Sequence, residues 1–165
     1  MRVVSNTSPI WNLTSIQRLD LLREQFAAIL IPPEVLSELR SGNSMLENAA
    51  IQEAIDAGWI EVLSLKTPEL KQSLLLELDQ GEAAAIALAL EQRISKILID
   101  ETEGRIKAKA LGLFPTGVLG ILLRAKYEGR IESVRDEMQK LRHDAGFFIA
   151  EPLFQRILVE AGEET

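Results

Sequence analysis

The sequence contains no cysteine, a single histidine and only eight aromatic residues: two Trp, one Tyr and five Phe. Without cysteine there is neither a disulfide framework nor a thiolate metal site, and a reducing compartment is the natural one. A lone His143 has no partner with which to bind zinc, so it is read as a surface residue and any metal must bind through oxygen. No apolar run approaches the roughly 20 residues that span a bilayer, and the opening MRVVSNTSP is too short and too polar for a secretory signal. A soluble, cytoplasmic protein with no membrane contact is therefore expected. Glycine-rich phosphate loops are missing too: neither G-x-x-x-x-G-K nor G-x-G-x-x-G follows a strand-like segment, which removes the main support for a nucleotide-binding α/β protein. No linker, repeat or low-complexity tract interrupts the chain, so one domain over residues 1–165 is expected.

What is present is a chain 47% hydrophobic and 26% charged, long enough to bury a sizeable core. Its net charge of -7 argues against strong phosphate binding, which lysine and arginine drive by releasing counterions. The charge is unevenly spread. From Gly104 to Arg142 there are nine Lys or Arg against four acids, a local +5. That segment could guide RNA; equally, it could be a set of solvated helix faces with their own ion pairs.

Short apolar runs alternate with helix-like stretches. RVVSN reads as a buried strand, AAILIPP as a second stopped by Pro32 and Pro33, WIEVLSL as a third, KILID as a fourth, and LFPTG as a short fifth. Between them lie one or two short helices after SNTSP, PEVLSELRSG closed by Gly42, a helix from Ser44 to Ala57, one from Pro68 to Leu78, the capped DQGEAAAIALALEQ, and ETEGRIKAKALGL. Three more helices are predicted at Val118 to Tyr127, Ile131 to Arg142 and Pro152 to Ala161. This alternation predicts an α/β fold with a mostly parallel central sheet of four to five strands and helices on both faces. Trp59 and Phe26 are expected in the core, and Phe147 with Phe148 either pack the last helix or offer a stacking surface for bases. Val118, Leu119, Ile121, Leu122 and Leu123, with Ile157, Leu158 and Val159, exceed what one small sheet needs to cover, so a homodimer through these helices is expected.

In such sheets ligands bind beyond the carboxyl ends of the strands, and four polar residues fall there. Asn6 and Asp100 end strands, Glu38 borders the apolar stripe Val35–Leu36–Leu39, and Glu82 lies in the first turn of the helix preceding the fourth strand. Each has an ordinary structural role open to it: Asn6 and Asp100 as helix caps, Glu38 as a solvated boundary residue, Glu82 as half of a capping box with Asp79. Together they point elsewhere. Two carboxylates about 4 Å apart repel by roughly 4 kcal/mol at an effective dielectric near 20, so a real cluster needs a cation or a proton. All-oxygen ligands suit Mg²⁺ or Mn²⁺, and such a metal activates water for phosphodiester cleavage.

The strand with SNTSP, then PPEVLSEL, DQGEAAAIALA, and LIDETEGR followed by GLFPTGVLGILLRAKYEG resemble the PIN domain, in its prokaryotic branch. The resemblance runs from Val3 to about Arg142. It implies an α/β fold and an Mg²⁺- or Mn²⁺-dependent ribonuclease acting on RNA, with the toxins of toxin–antitoxin pairs, and hence an antitoxin protein as partner, among its relatives. By position Glu38, Glu82 and Asp100 match the family's acidic cluster as catalytic residues. Asn6 and Glu101 complete the metal ligands, with Glu103 a further candidate; Thr7, Ser8, Arg105 and Lys109 are the substrate-binding candidates. Arg105 could grip a phosphate or could pair with Glu101. The departure is Asn6, where most active members carry aspartate. This leaves open a second reading, a PIN-fold binding module with weakened catalysis.

Overall fold

The computed structural model describes residues 1–42 and 45–163, with the backbone alone for residues 45–47. Five strands form one sheet: β1 (Arg2–Ser5), β2 (Ala28–Ile31), β3 (Ile60–Val62), β4 (Lys96–Leu98) and β5 (Phe114–Thr116), in the order β3-β2-β1-β4-β5. All four neighbouring pairs are parallel. The central strands are apolar on both faces, so side chains alternate between two cores. Val3, Ile29, Ile31 and Leu98 enter one, and Val4, Leu30 and Ile97 enter the other.

Ten helices are formed among the described residues. The sheet face of Val4 is covered by α5 (Glu69–Leu74), α6 (Gln80–Glu91) and α7 (Thr102–Ala110). The opposite face carries α1 (Thr7–Ser15), α2 (Asp20–Gln25), α4 (Met45–Asp56), α8 (Val118–Tyr127), α9 (Val134–Asp144) and α10 (Glu151–Glu160). Between them α3 (Pro33–Gly42) leans on both α1 and α6. The predicted start of α4 at Ser44 lies outside the described residues. Pro115 occupies β5, an edge strand, where a missing N–H breaks no interior ladder.

Helix α6 is held by a complete capping box. Asp79 Oδ1 accepts from the Glu82 amide at 2.8 Å, and the Asp79 amide donates to Glu82 Oε1 at 3.2 Å. Its run of small residues then lets it lie against the sheet with Ala83 through Ala89 all buried.

The residues on which a homodimer was expected turn inward. Val118, Ile121, Leu122, Ile157 and Leu158 lie in the chain's own core, Leu119 and Leu123 pack against it, and Val159 is the member left exposed. They are taken up because α8, α9 and α10 pack on one another as well as on the sheet. Trp59 and Phe26 are core residues as expected. Phe147 packs against the core while Phe148 is 84% exposed, so no aromatic pair stands free there. His143 is exposed. Among the described residues no helix is long and apolar enough to cross a membrane.

Candidate active site

Strand order reverses between β1 and β4: the chain builds outward from β1 through β2 to β3, then returns to add β4 and β5 on the other side. The crevice beyond the carboxyl ends of β1 and β4 is thus the place where an open α/β sheet can receive a ligand. Asn6 leaves β1 into this crevice, its amide N–H donating to the Leu98 carbonyl of β4 at 2.8 Å. Asp100 follows β4 two residues past its end. From the side, α3 brings Glu38 and α6 brings Gly81 and Glu82.

Asn6 sits at the N-cap of α1, yet its side chain makes no capping hydrogen bond. Instead Nδ2 donates to Glu101 Oε2 at 3.1 Å, and Oδ1, within a residue only 3% exposed, has no partner. The neighbouring Thr7 hydroxyl is also buried without a hydrogen bond of good geometry, although it stays close enough to Glu38 to stabilise that carboxylate's charge. Glycine at position 81 makes room here. A Cβ on Gly81 would fall 2.0 Å from Glu38 Oε1 and 3.1 Å from Asn6 Oδ1, so Glu38 and Asn6 converge on a space a side chain would fill.

Asp100 is fixed at both oxygens. Oδ1 accepts from the Val118 amide at 2.8 Å, and Oδ2 accepts from the Ser8 hydroxyl at 3.3 Å, which itself accepts from Asn12 Nδ2 at 3.1 Å. Asp100 is a helix cap after all, but of α8 rather than of the α7 that follows it in sequence. The carboxylate reaches α8 because residue 117 is glycine, where a Cβ would stand 2.6 Å from Asp100 Oδ1.

The three carboxyls, Glu38, Glu82 and Asp100, share the same direction of pKa shift, with burial its largest cause. Burial, reinforced by the charges of Asp79 and Glu101, raises the Glu38 carboxyl. Burial raises Glu82 to about 7, against the Asp79 hydrogen bond and with help from the charges of Asp79 and Glu101. Asp100 is raised to about 6 by burial and by Glu101, against the Val118 N–H, Ser8 and Arg105. Glu101 is thus felt by all three acids, and Asp79 by Glu38 and Glu82. Asp79 was read from the sequence as a cap alone; its place in the cluster was hidden because only the fold sets α6 against α3.

Arg105 Nη1 donates to the Ile99 carbonyl at 3.1 Å, placing the guanidinium beside Asp100, and among the described residues it forms no ion pair with Glu101. Two basic features stand apart from the acids. Lys109 is exposed in the last turn of α7, about 10 Å along the axis from the helix start at 1.5 Å per residue, and is not brought to the cluster. The basic segment is largely neutralised at home: Lys107 pairs with Glu77, Arg124 with Glu128, Lys126 with Glu163, Arg130 with Glu24, Lys140 with Glu137 and Arg142 with Glu151. Glu103 is exposed beyond the cluster.

Among the described residues no three acidic or histidine side chains stand close enough to enclose a cation as they are placed. Their donors nonetheless suit one. An unpartnered buried amide oxygen, an unpartnered hydroxyl and carboxylates sharing one crevice are all acceptors toward a cation, and all are hard oxygen, the chemistry of Mg²⁺ or Mn²⁺. Comparison with protein families finds a match over residues 2–163 to a family described as a PIN domain. Neither curated proteins nor solved structures give a match.

Proposed function

The chain belongs to the PIN domain family, and from that premise we propose that it is a divalent-metal-dependent endoribonuclease that uses Mg²⁺ or Mn²⁺. The observation that carries this reading is the orphaned Asn6 Oδ1, buried beside Glu38 in a crevice where the surrounding acids have raised pKa values. A buried acceptor with no donor costs on the order of 1–3 kcal/mol, and a cation relieves it and the acids together.

In this proposal Asn6, Glu38, Glu82 and Asp100 hold the ion, with Glu101 behind Asn6 as the fifth member of the site. When bound, it would lower the pKa of a coordinated water and stabilise charge on a phosphodiester. The chain's own groups do the rest. Val118 N–H and Ser8 hold Asp100 in one orientation, so it is the fixed member toward which the other oxygen donors would close on loading. The Arg105 guanidinium, fixed by Ile99, offers its remaining N–H donors to a phosphate beside Asp100. The unpartnered Thr7 hydroxyl is a further donor toward substrate oxygen. A role as the toxin of a toxin–antitoxin pair, with an antitoxin protein as partner, rests on the family alone, as do a single-domain organisation and a cytoplasmic location on the sequence alone.

A second reading, a PIN-fold binding module, is favoured by one residue: Asn6 withholds a charge that aspartate would give. Cleavage of single-stranded RNA assayed with Mn²⁺ and with EDTA separates the two. Metal-dependent cleavage that Asp100→Asn abolishes supports the enzyme, whereas metal-independent binding without cleavage supports the module.

A further inference from the structure

The Asn6 side chain does two things at once. Its Nδ2 is committed to Glu101 Oε2 at 3.1 Å, which turns Oδ1 the other way, toward Glu38 and the space beside Gly81. That Oδ1 belongs to a residue 3% exposed and has no donor. Glu101, by contrast, is exposed and stands next to Asp100 on the segment between β4 and α7. A carboxylate that accepts from an amide N–H₂ draws the amide toward its charge-separated form and makes the carbonyl oxygen a better donor to a cation. Metal-bound histidines are sharpened by a hydrogen-bonded carboxylate in the same way.

We propose that Asn6 and Glu101 act as one divided ligand for a divalent cation, Asn6 Oδ1 supplying the ligating atom and Glu101, through the Asn6 amide, supplying the anionic charge that position 6 lacks. The charge of the site is relocated rather than lost. Glu101 is then a positioning and charge-supplying residue, and position 6 is neutral because a second carboxylate there would face Glu101 at hydrogen-bonding distance with no proton between them. The inference rests on the metal reading above.

Calorimetric titration of Mn²⁺ into four forms of the full chain tests it: wild type, Glu101→Gln, Asn6→Asp, and the double variant Asn6→Asp/Glu101→Gln. Glu101→Gln should weaken Mn²⁺ binding by about 10- to 100-fold, the range typical of losing a partner behind a metal ligand. The double variant, which restores one charge and keeps an amide–carboxylate pair with the roles exchanged, should bind within about threefold of wild type, a residual difference of roughly 0.6 kcal/mol. Glu160→Gln, an exposed acid at the end of α10, should bind as wild type does. Asn6→Asp alone should melt lower without metal and recover with Mn²⁺; if it does not fold, the charge-conserving double variant still decides the matter. Binding in wild type that Glu101→Gln leaves unchanged, or a double variant no better than Glu101→Gln, overturns the divided ligand while leaving the metal site standing. Absence of Mn²⁺ binding in wild type overturns both.

Discussion

Asp100 carries two duties that substitution can separate. Asp100→Asn keeps an oxygen for the Val118 amide and removes the charge, so without metal the variant should be as stable as wild type or more stable by about 1 kcal/mol, while losing its stabilisation by Mn²⁺. Asp100→Ala leaves the Val118 N–H unpaired and should cost about 1–3 kcal/mol with or without metal. Thermal melts of both variants, with Mn²⁺ and with EDTA, check the pair. The raised carboxyls add a pH signature. Glu82, raised from 4.5 to about 7, and Asp100, raised from 3.8 to about 6, stay protonated in the folded chain at pH values where the unfolded chain has released those protons. The stability they contribute is therefore complete below pH 4 and is lost as pH rises through 6 and 7. The metal-free protein should melt higher at pH 5 than at pH 7.5, by on the order of 2 kcal/mol after allowance for screening, and Mn²⁺ should flatten that slope. A melt that rises from pH 5 to 7.5 in EDTA would place these acids outside a shared crevice.

At the level of elements, the strands were legible because β1, β2 and β4 are apolar at successive positions, the pattern of strands buried on both faces. The capping box of α6 was legible because its two partners lie three residues apart. What local sequence could not carry was which helix an acid serves. Asp100 precedes α7 but caps α8, a contact that depends on β5 lying beside β4 and on Gly117 having no side chain. Gly81 has no local signature for the same reason: its meaning comes from α3 packing against α6. Gly81→Ala should force Glu38 out of the crevice and weaken Mn²⁺ binding about tenfold or more while α6 stays formed, as calorimetry with circular dichroism would record. A second cross-element contact sits away from the crevice. Glu137, 3% exposed on α9, accepts from Arg18 Nε–H at 3.0 Å and from Lys140 at 3.3 Å, tying the turn between α1 and α2 to α9. Glu137→Ala removes the carboxylate that holds the partly exposed Arg18 and should cost about 1–2 kcal/mol in denaturant unfolding.

Over the whole molecule, most apolar residues of α8 and α10 are taken up by the core, Val159 staying exposed, so little is left for a dimer through them. Sedimentation should give a monomer at roughly tens of micromolar, above the range of micromolar interfaces. The net charge of -7 and the ion pairs that tie down most of the basic segment leave little to hold a phosphate backbone. Affinity for single-stranded RNA should thus fall only shallowly with salt, with a log–log slope of about -1 to -2 that Arg105→Gln reduces and Lys109→Gln does not. A steep slope, or equal effects of both variants, would mean that RNA runs along α7 rather than into the crevice. All of this depends on the oxygen cluster where β1 and β4 part accepting a cation. Calorimetric titration of Mn²⁺ into the metal-free wild type and into Asp100→Asn reads that directly: binding in the wild type that the variant abolishes is the expected result, and no heat in the wild type, or equal binding in both, would contradict it.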